Sequence, residues 1–259
     1  MAGKYEWRGS KRHTKSRGEK PYVYDPTTPQ SSENMILAAL PQAEYNRLQQ
    51  YLGFVLVKPE EVFWQPNQLI TFVYFPTSGM VSLVAVMRNG ATAEVGVTGR
   101  DGFVGIPIIL GARHASVRAI AQTEGGGFRI GSDLFRQTLP QTPQLEQTLR
   151  RYAHAQMMQV AQGAACNCLH QVPERVARWL SMSCDCTGSE VLPLTQEFLA
   201  QMLGCRRSSV TSAIGQLQKA GMIRSERGRV CILDRKQLES RACECYGVMR
   251  RLCDLNRVG

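Results

Sequence analysis

The first 165 residues contain no cysteine; all nine lie between Cys166 and Cys253. An odd count confined to the end of the chain argues against a disulfide framework. Histidine is scarce as well, at His13, His114, His154 and His170. A metal-dependent oxygenase needs clustered imidazole and carboxylate ligands, so this chain has little to build one from. The longest apolar run, Phe103 to Ala112, is too short to span a bilayer. No apolar segment follows the basic N-terminus, so no signal peptide is expected, and the protein reads as cytoplasmic with no membrane partner. Recognisable Ser-His-Asp or Cys-His signatures are missing too, and no catalytic residue is assigned.

Charge is unevenly distributed. The formal net charge is +10; residues 1–24 and residues 204–235 each hold 7 Lys/Arg against 2 Asp/Glu, or +5 apiece, so the remainder sums to zero. Basic blocks of this kind suit phosphate backbones. The first block belongs to a polar arm over residues 1–30, expected to be disordered.

The second block coincides with the most informative segment, residues 195–234. Thr195 can cap a helix, with Glu197 near its positive end. Phe198, Leu199, Met202 and Leu203 then share a stripe, and Gly204 stands where a turn needs positive φ. A second helix carries Val210, Ile214 and Leu217 inward and Ser208, Thr211 and Ser212 outward. Arg206 and Arg207 sit in its first turn, where they oppose the helix dipole; a helix built only for stability favours acidic residues there. Gly221 ends this helix, and two short strands follow around Arg227-Gly228-Arg229. A helix-turn-helix followed by a basic wing is the expected pattern, with double-stranded DNA as partner. Thr195, Gln196, Arg206, Arg207, Ser208, Ser209, Thr211, Ser212, Arg227 and Arg229 are its candidate DNA contacts.

Upstream, Asn34 to Gly53 reads as helical, and from Phe54 to about Ile130 the period becomes two. Val81–Met87 and Ala91–Val97 flank Arg88-Asn89-Gly90 as a hairpin, and Ser116–Ala121 is another strand. Short strands with Gly-rich turns imply a β-sandwich or jelly roll. Ser132–Leu139 is a short helix. A long helix then starts at Thr142-Pro143, with a seam of Leu145, Leu149, Ala153, Met157, Val160, Ala164 and Cys168. At roughly 36 Å it is long enough for a dimer interface, assigned to Leu145, Leu149, Ala153, Met157, Val160 and Ala164. Val172–Met182 and Lys236–Leu255 are the remaining helices. Of three Cys-X-Cys pairs, Cys166/Cys168 and Cys243/Cys245 read as helical, with thiols on opposite faces and unable to clasp one ion. Cys184-Asp185-Cys186 falls in an expected loop, where it has the freedom to bind a metal or oxidise, but no His or second Cys pair stands nearby in sequence. No metal site is assigned.

This order of elements resembles the Crp/Fnr superfamily, the bacterial regulators typified by the cyclic-AMP receptor protein. The likeness spans about residues 34–245 and is carried by Leu194–Leu233, by ACNCLHQVPERVARWL at 165–180 and by GRDGFVGIPIILGARHASVRAIA at 99–121. It implies an α+β chain with four parts: the arm, a cyclic-nucleotide-binding-like jelly roll over 31–140, a dimerisation helix over 141–170, and a winged helix-turn-helix with a C-terminal helix over 171–259. It further implies a homodimeric transcription regulator that reads a two-fold symmetric site and contacts RNA polymerase, not an enzyme.

The resemblance places the base-reading positions at Arg207, Ser208 and Ser212. The best-known members carry glutamate and arginine at the last two, so the preferred DNA site is expected to differ. In the effector cassette, Gly105, Arg113 and Ser116 match the phosphate-binding pattern, but Ile106 replaces the glutamate that binds the ribose hydroxyl. An isoleucine leaves that hydroxyl unpaired, so control by cyclic AMP is not expected and the small-molecule effector, if there is one, is unidentified. The iron–sulfur cysteines of other members have no counterpart before Cys166, nothing in the spacing of His114, His154 or Cys166 marks a haem ligand, and no cofactor is assigned. The rival readings are a jelly-roll metal-dependent enzyme and a protein-binding adaptor.

Overall fold

The computed structural model describes residues 34–255; the expected arm over 1–30 lies outside them. The stretch expected as one helix from Asn34 forms two, α1 (Met35–Ala38) and α2 (Gln42–Gln49). Pro41 separates them because it lacks an N–H and disfavours helical backbone at the residue before it. Asn34 caps α1, accepting from Ile36 N and Leu37 N at 3.2 and 3.1 Å, while its amide donates to Pro76 O and Gly102 O.

Seven antiparallel strands follow: β1 (Gly53–Val57), β2 (Val62–Trp64), β3 (Phe72–Pro76), β4 (Val81–Val86), β5 (Thr92–Thr98), β6 (Arg118–Ala121) and β7 (Gly125–Gly131). They form two sheets, β1-β7-β3 and β2-β6-β4-β5. The β4–β5 hairpin closes at Val86↔Thr92, around the expected turn. A short helix, α3 (Ile106–Ile109), links β5 to β6, and α4 (Ser132–Thr138) follows β7. Val73, Phe75, Phe103, Ile130 and Phe135 fill the core, with the Phe75 and Phe103 rings 5.0 Å apart.

The long helix α5 runs from Pro143 to Leu169. Thr142 was expected to cap it, but its hydroxyl points back to Leu139 O at 3.1 Å. The cap comes from α2: the Glu44 carboxylate accepts from Gln144 N and Leu145 N, both at 3.0 Å. A carboxylate there also complements the helix dipole. Leu145 and Leu149 are fully buried in the β-domain core, so the first turns of α5 belong to that domain.

The C-terminal part comprises α6 (Val172–Thr187), β8 (Val191–Leu192), α7 (Gln196–Leu203), α8 (Arg207–Lys219), β9 (Ile223–Glu226), β10 (Arg229–Ile232), α9 (Arg235–Arg241) and α10 (Cys245–Leu255). Two expectations are corrected here. Cys184-Asp185-Cys186 is not in a loop: α6 continues through it and ends at Gly188, in left-handed backbone. The single helix expected over Lys236–Leu255 breaks at Ala242–Glu244, where Ala242 turns extended (ψ 149°). α10 then packs along α5, with Gln159 and Gln162 amides donating to Cys253 and Cys245 sulfurs at 3.0 Å.

Candidate nucleic-acid interface

α7 and α8 meet as the sequence pattern requires. Thr195 Oγ1 accepts from Phe198 N at 3.1 Å, Gly204 closes α7 in left-handed backbone (φ 58°), and Val210, Ala213, Ile214 and Leu217 hold α8 in the core. Arg175, buried on α6, donates to Leu203 O, satisfying a carbonyl that the end of α7 leaves open. The outward face of α8 displays Arg206, Arg207, Ser208, Thr211 and Ser212 to solvent, with Ser209 half-buried. Thr195 is exposed and Gln196 half-buried beside them; Gln196 Oε1 accepts from Thr211 Oγ1 at 2.7 Å, which ties the two helices across their outer surface. Arg207 lies 3.6 Å from Glu197, an exposed pairing that restrains the guanidinium weakly.

The wing is three-stranded, β8-β10-β9; β8 carried no sequence signal because two residues cannot show a period. Arg227 and Gly228 form a two-residue turn between Glu226 and Arg229. Arg229 is held at its base by Glu226 at 2.7 Å, with Arg224 on the same carboxylate at 2.9 Å. Hydrogen bonding from Arg229 keeps Glu226 below the usual carboxylate range. Arg227 is thus the tip residue, while Arg229 is partly neutralised.

The seam assigned to the dimer divides. Leu145, Leu149 and Ala153, expected at the dimer interface, are buried within their own chain. They follow the same spacing as the rest because one face of α5 serves first the β-domain and then solvent. Met157 (58% exposed) and Val160 (39%) are open apolar residues, and Ala164, Cys168 and Leu169 extend that surface.

The two parts of the chain share a packed boundary. Met80 and Val84 of the β-domain enter the helix-turn-helix core. At its centre Glu94 on β5 accepts from Trp179 Nε1 (2.8 Å), Ser82 Oγ (2.6 Å) and Gln122 Nε2 (2.6 Å). Burial pushes its pKa up to about 7, against those hydrogen bonds and the Arg178 charge. The folded chain therefore holds this proton more tightly than the unfolded one, and the ionised form costs stability. Stability is expected to fall as pH rises from 4.5 towards about 7. Glu94→Gln should flatten that slope in melting curves recorded across the range; an unchanged slope would remove Glu94 as its source. Nothing in the sequence pointed to Glu94, whose role arises only where α6 meets β5.

The cassette residues lie in the β-domain, at the start of α3 and just before β6. Arg113 Nη2 is 2.5 Å from Asp133 Oδ1 on α4, in an exposed pair that restrains the guanidinium weakly. Gly105 is buried at φ 139° before α3, Ser116 is exposed, and Ile106 is apolar and half-buried. A cavity of about 250 Å³ lies elsewhere, between β5, α5, α6 and α10, lined by Asp101, Tyr152, Gln156, Met182, Tyr246 and Arg250 among others.

Cys166 and Cys168 lie within α5, one buried and one exposed, as expected, but the other two Cys-X-Cys pairs depart from expectation. Cys184 is buried, which pushes its thiol up to about 11, and Asp185 pairs with Arg235 at 2.7 Å. Cys166, Cys243 and Cys245 converge with His170 at the far end of α5. Cys243 and Cys245 reach the same side because the chain is not continuously helical there.

Two family models match the chain: the cyclic nucleotide-binding domain over residues 54–141 and the Crp-like helix-turn-helix domain over residues 174–241. No curated protein sequence matches it. Among solved structures, it is similar to FixK2 from Bradyrhizobium japonicum (TM-score 0.63, 14% identity, covering 74% of this chain and 98% of that one). It is also similar to Clp, a c-di-GMP responsive global regulator of Xanthomonas campestris (TM-score 0.60, 18% identity, 74% and 99%). A third is a Crp-family transcriptional regulator of Thermus thermophilus (TM-score 0.58, 20% identity, 73% and 96%). At these identities the structural likeness is one of fold, and the family rests on the two domain matches in their shared order. The jelly roll, the long helix and the winged helix-turn-helix, with those matches, place this chain in the Crp/Fnr superfamily of transcription regulators, which are not enzymes.

Proposed function

We propose that the protein is a sequence-specific DNA-binding regulator that acts as a homodimer without control by cyclic AMP. The observation that carries this reading is the exposed outer face of α8, where Arg206, Arg207, Ser208, Thr211 and Ser212 crowd the N-terminal turns. Such a face enters a major groove, with arginine forking onto guanine and the hydroxyls reaching bases or phosphates. Thr195, Gln196 and Ser209 flank it, and Arg227 and Arg229 on the wing meet the backbone. The apolar surface of Met157, Val160 and Ala164 supports pairing of two α5 helices, which sets the two recognition helices about one DNA turn apart, roughly 34 Å. The absence of an acceptor at Ile106 supports independence from cyclic AMP. Gly105, Arg113 and Ser116 then serve the fold, or an anion other than a cyclic nucleotide. RNA polymerase is the further partner, and the cytoplasm the compartment, that this reading entails.

Arg207→Ala is expected to lose about 1–3 kcal/mol on the preferred site and almost nothing on random duplex. Fluorescence anisotropy on both duplexes checks this. Equal losses on the two would assign Arg207 to the phosphate backbone instead.

A further inference from the structure

Four side chains outside the DNA-reading surface share the geometry of a metal site. Cys166 and His170 stand four residues apart at the end of α5, a spacing that puts them on one face. Cys243 and Cys245 flank Glu244 in the break between α9 and α10. Because that Cys-X-Cys crosses a turn, both sulfurs reach the same point. The four ligand atoms all lie within 4.8 Å of one another, and Cys166, Cys243 and Cys245 are buried. That spacing surrounds one ion and leaves no room for a polynuclear cluster.

Two edge lengths fit a tetrahedral ion. A tetrahedral zinc site with its usual bond lengths has sulfurs about 3.8 Å apart and sulfur–nitrogen edges of about 3.6 Å. Here Cys166 Sγ and Cys243 Sγ are 3.5 Å apart, and Cys245 Sγ is 3.6 Å from His170 Nδ1. His170 Nε2 is 3.0 Å from Glu244 Oε2. A carboxylate on the distal ring nitrogen fixes the tautomer and leaves Nδ1 to bind metal, the usual support of a ligating histidine. The Gln162 amide donates to Cys245 Sγ at 3.0 Å. Three thiolates and a divalent ion carry one net negative charge, and the buried Arg178 lies close enough to Cys166 to act on its charge.

We propose that Cys166, His170, Cys243 and Cys245 hold one zinc ion tetrahedrally, pinning the α9–α10 turn to the end of α5. The three-sulfur donor set selects a thiophilic ion over magnesium or calcium. The chain enters α6 directly after His170, so the ion fixes the angle at which the helix-turn-helix leaves the long helix. This consequence for DNA rests on the function proposed above; the metal site does not.

The full chain, purified without chelator, is expected to carry one zinc per chain by mass spectrometry of its metal content. Replacement by cobalt should give the intense visible bands and thiolate charge-transfer absorption of a tetrahedral site. Cys166→Ser and Cys243→Ser should lose the ion. Glu244→Gln, a change at an exposed side chain that leaves the core intact, should weaken zinc binding about 10- to 100-fold. A native chain without stoichiometric zinc and without tetrahedral cobalt bands overturns the site, as does zinc retained in full by both cysteine variants, or a Cys166–Cys243 disulfide in its place. Zinc bound stoichiometrically, with DNA affinity unchanged after chelation, upholds the site and overturns the pinning. Zinc bound with no DNA affinity in either form upholds the site and counts against the proposed function alone.

Discussion

Ala164→Glu is expected to leave each chain folded and to abolish pairing at concentrations where the native protein is dimeric. Ala164 is exposed on α5, in the apolar surface that runs from Met157 and Val160 to Leu169. A two-fold interface sets each residue of this kind against the same surface of its counterpart, so one substitution introduces two carboxylates into one contact. An unpaired charge buried in such a contact costs about 3–5 kcal/mol. At tenfold per 1.4 kcal/mol, this weakens the dimer by about two to three and a half orders of magnitude. Affinity for a symmetric DNA site should fall with it, because a monomer reads only half the site. Light scattering reports the mass and thermal melting the fold. A variant that remains dimeric would place the interface elsewhere.

Leu149→Ala, fifteen residues earlier on the same helix, is expected to do the reverse. Its side chain is fully buried among β-domain residues, and removing it leaves a cavity costing about 2–5 kcal/mol. The melting temperature should drop markedly, while the dimer constant of the folded protein stays as it was. Loss of dimer with unchanged stability would return Leu149 to the interface. The pair of variants thus tests the division of α5 into an inward-facing and an outward-facing half.

That division shows where the sequence was legible and where it was not. The hydrophobic period gave α5 and its apolar face, since a spacing of three and four is a property of the helix alone. Which part of the face is covered depends on where the β-domain ends against it, and Leu149 and Val160 look alike without that information. The helix-turn-helix was readable residue by residue because its turn, caps and inner stripe are local: Thr195 caps α7, Gly204 makes the turn and Val210 faces the core. Features joining distant segments left no trace. Glu44 caps a helix about a hundred residues away, Glu94 receives a bond from Trp179, and Cys166 meets Cys243 only because a break at Ala242 redirects the chain. A periodic reading of Lys236–Leu255 as one helix hid that break, and with it the convergence of the cysteines.

Two copies of α8 reading DNA without a cyclic nucleotide should leave their mark in a selection from a random duplex library, run with the purified chain and no added ligand. A two-fold symmetric site with half-sites one helical turn apart is expected to be enriched, and that enrichment lost in Arg207→Ala. No enrichment above the starting library, or an enriched site without two-fold symmetry, would overturn the proposed function.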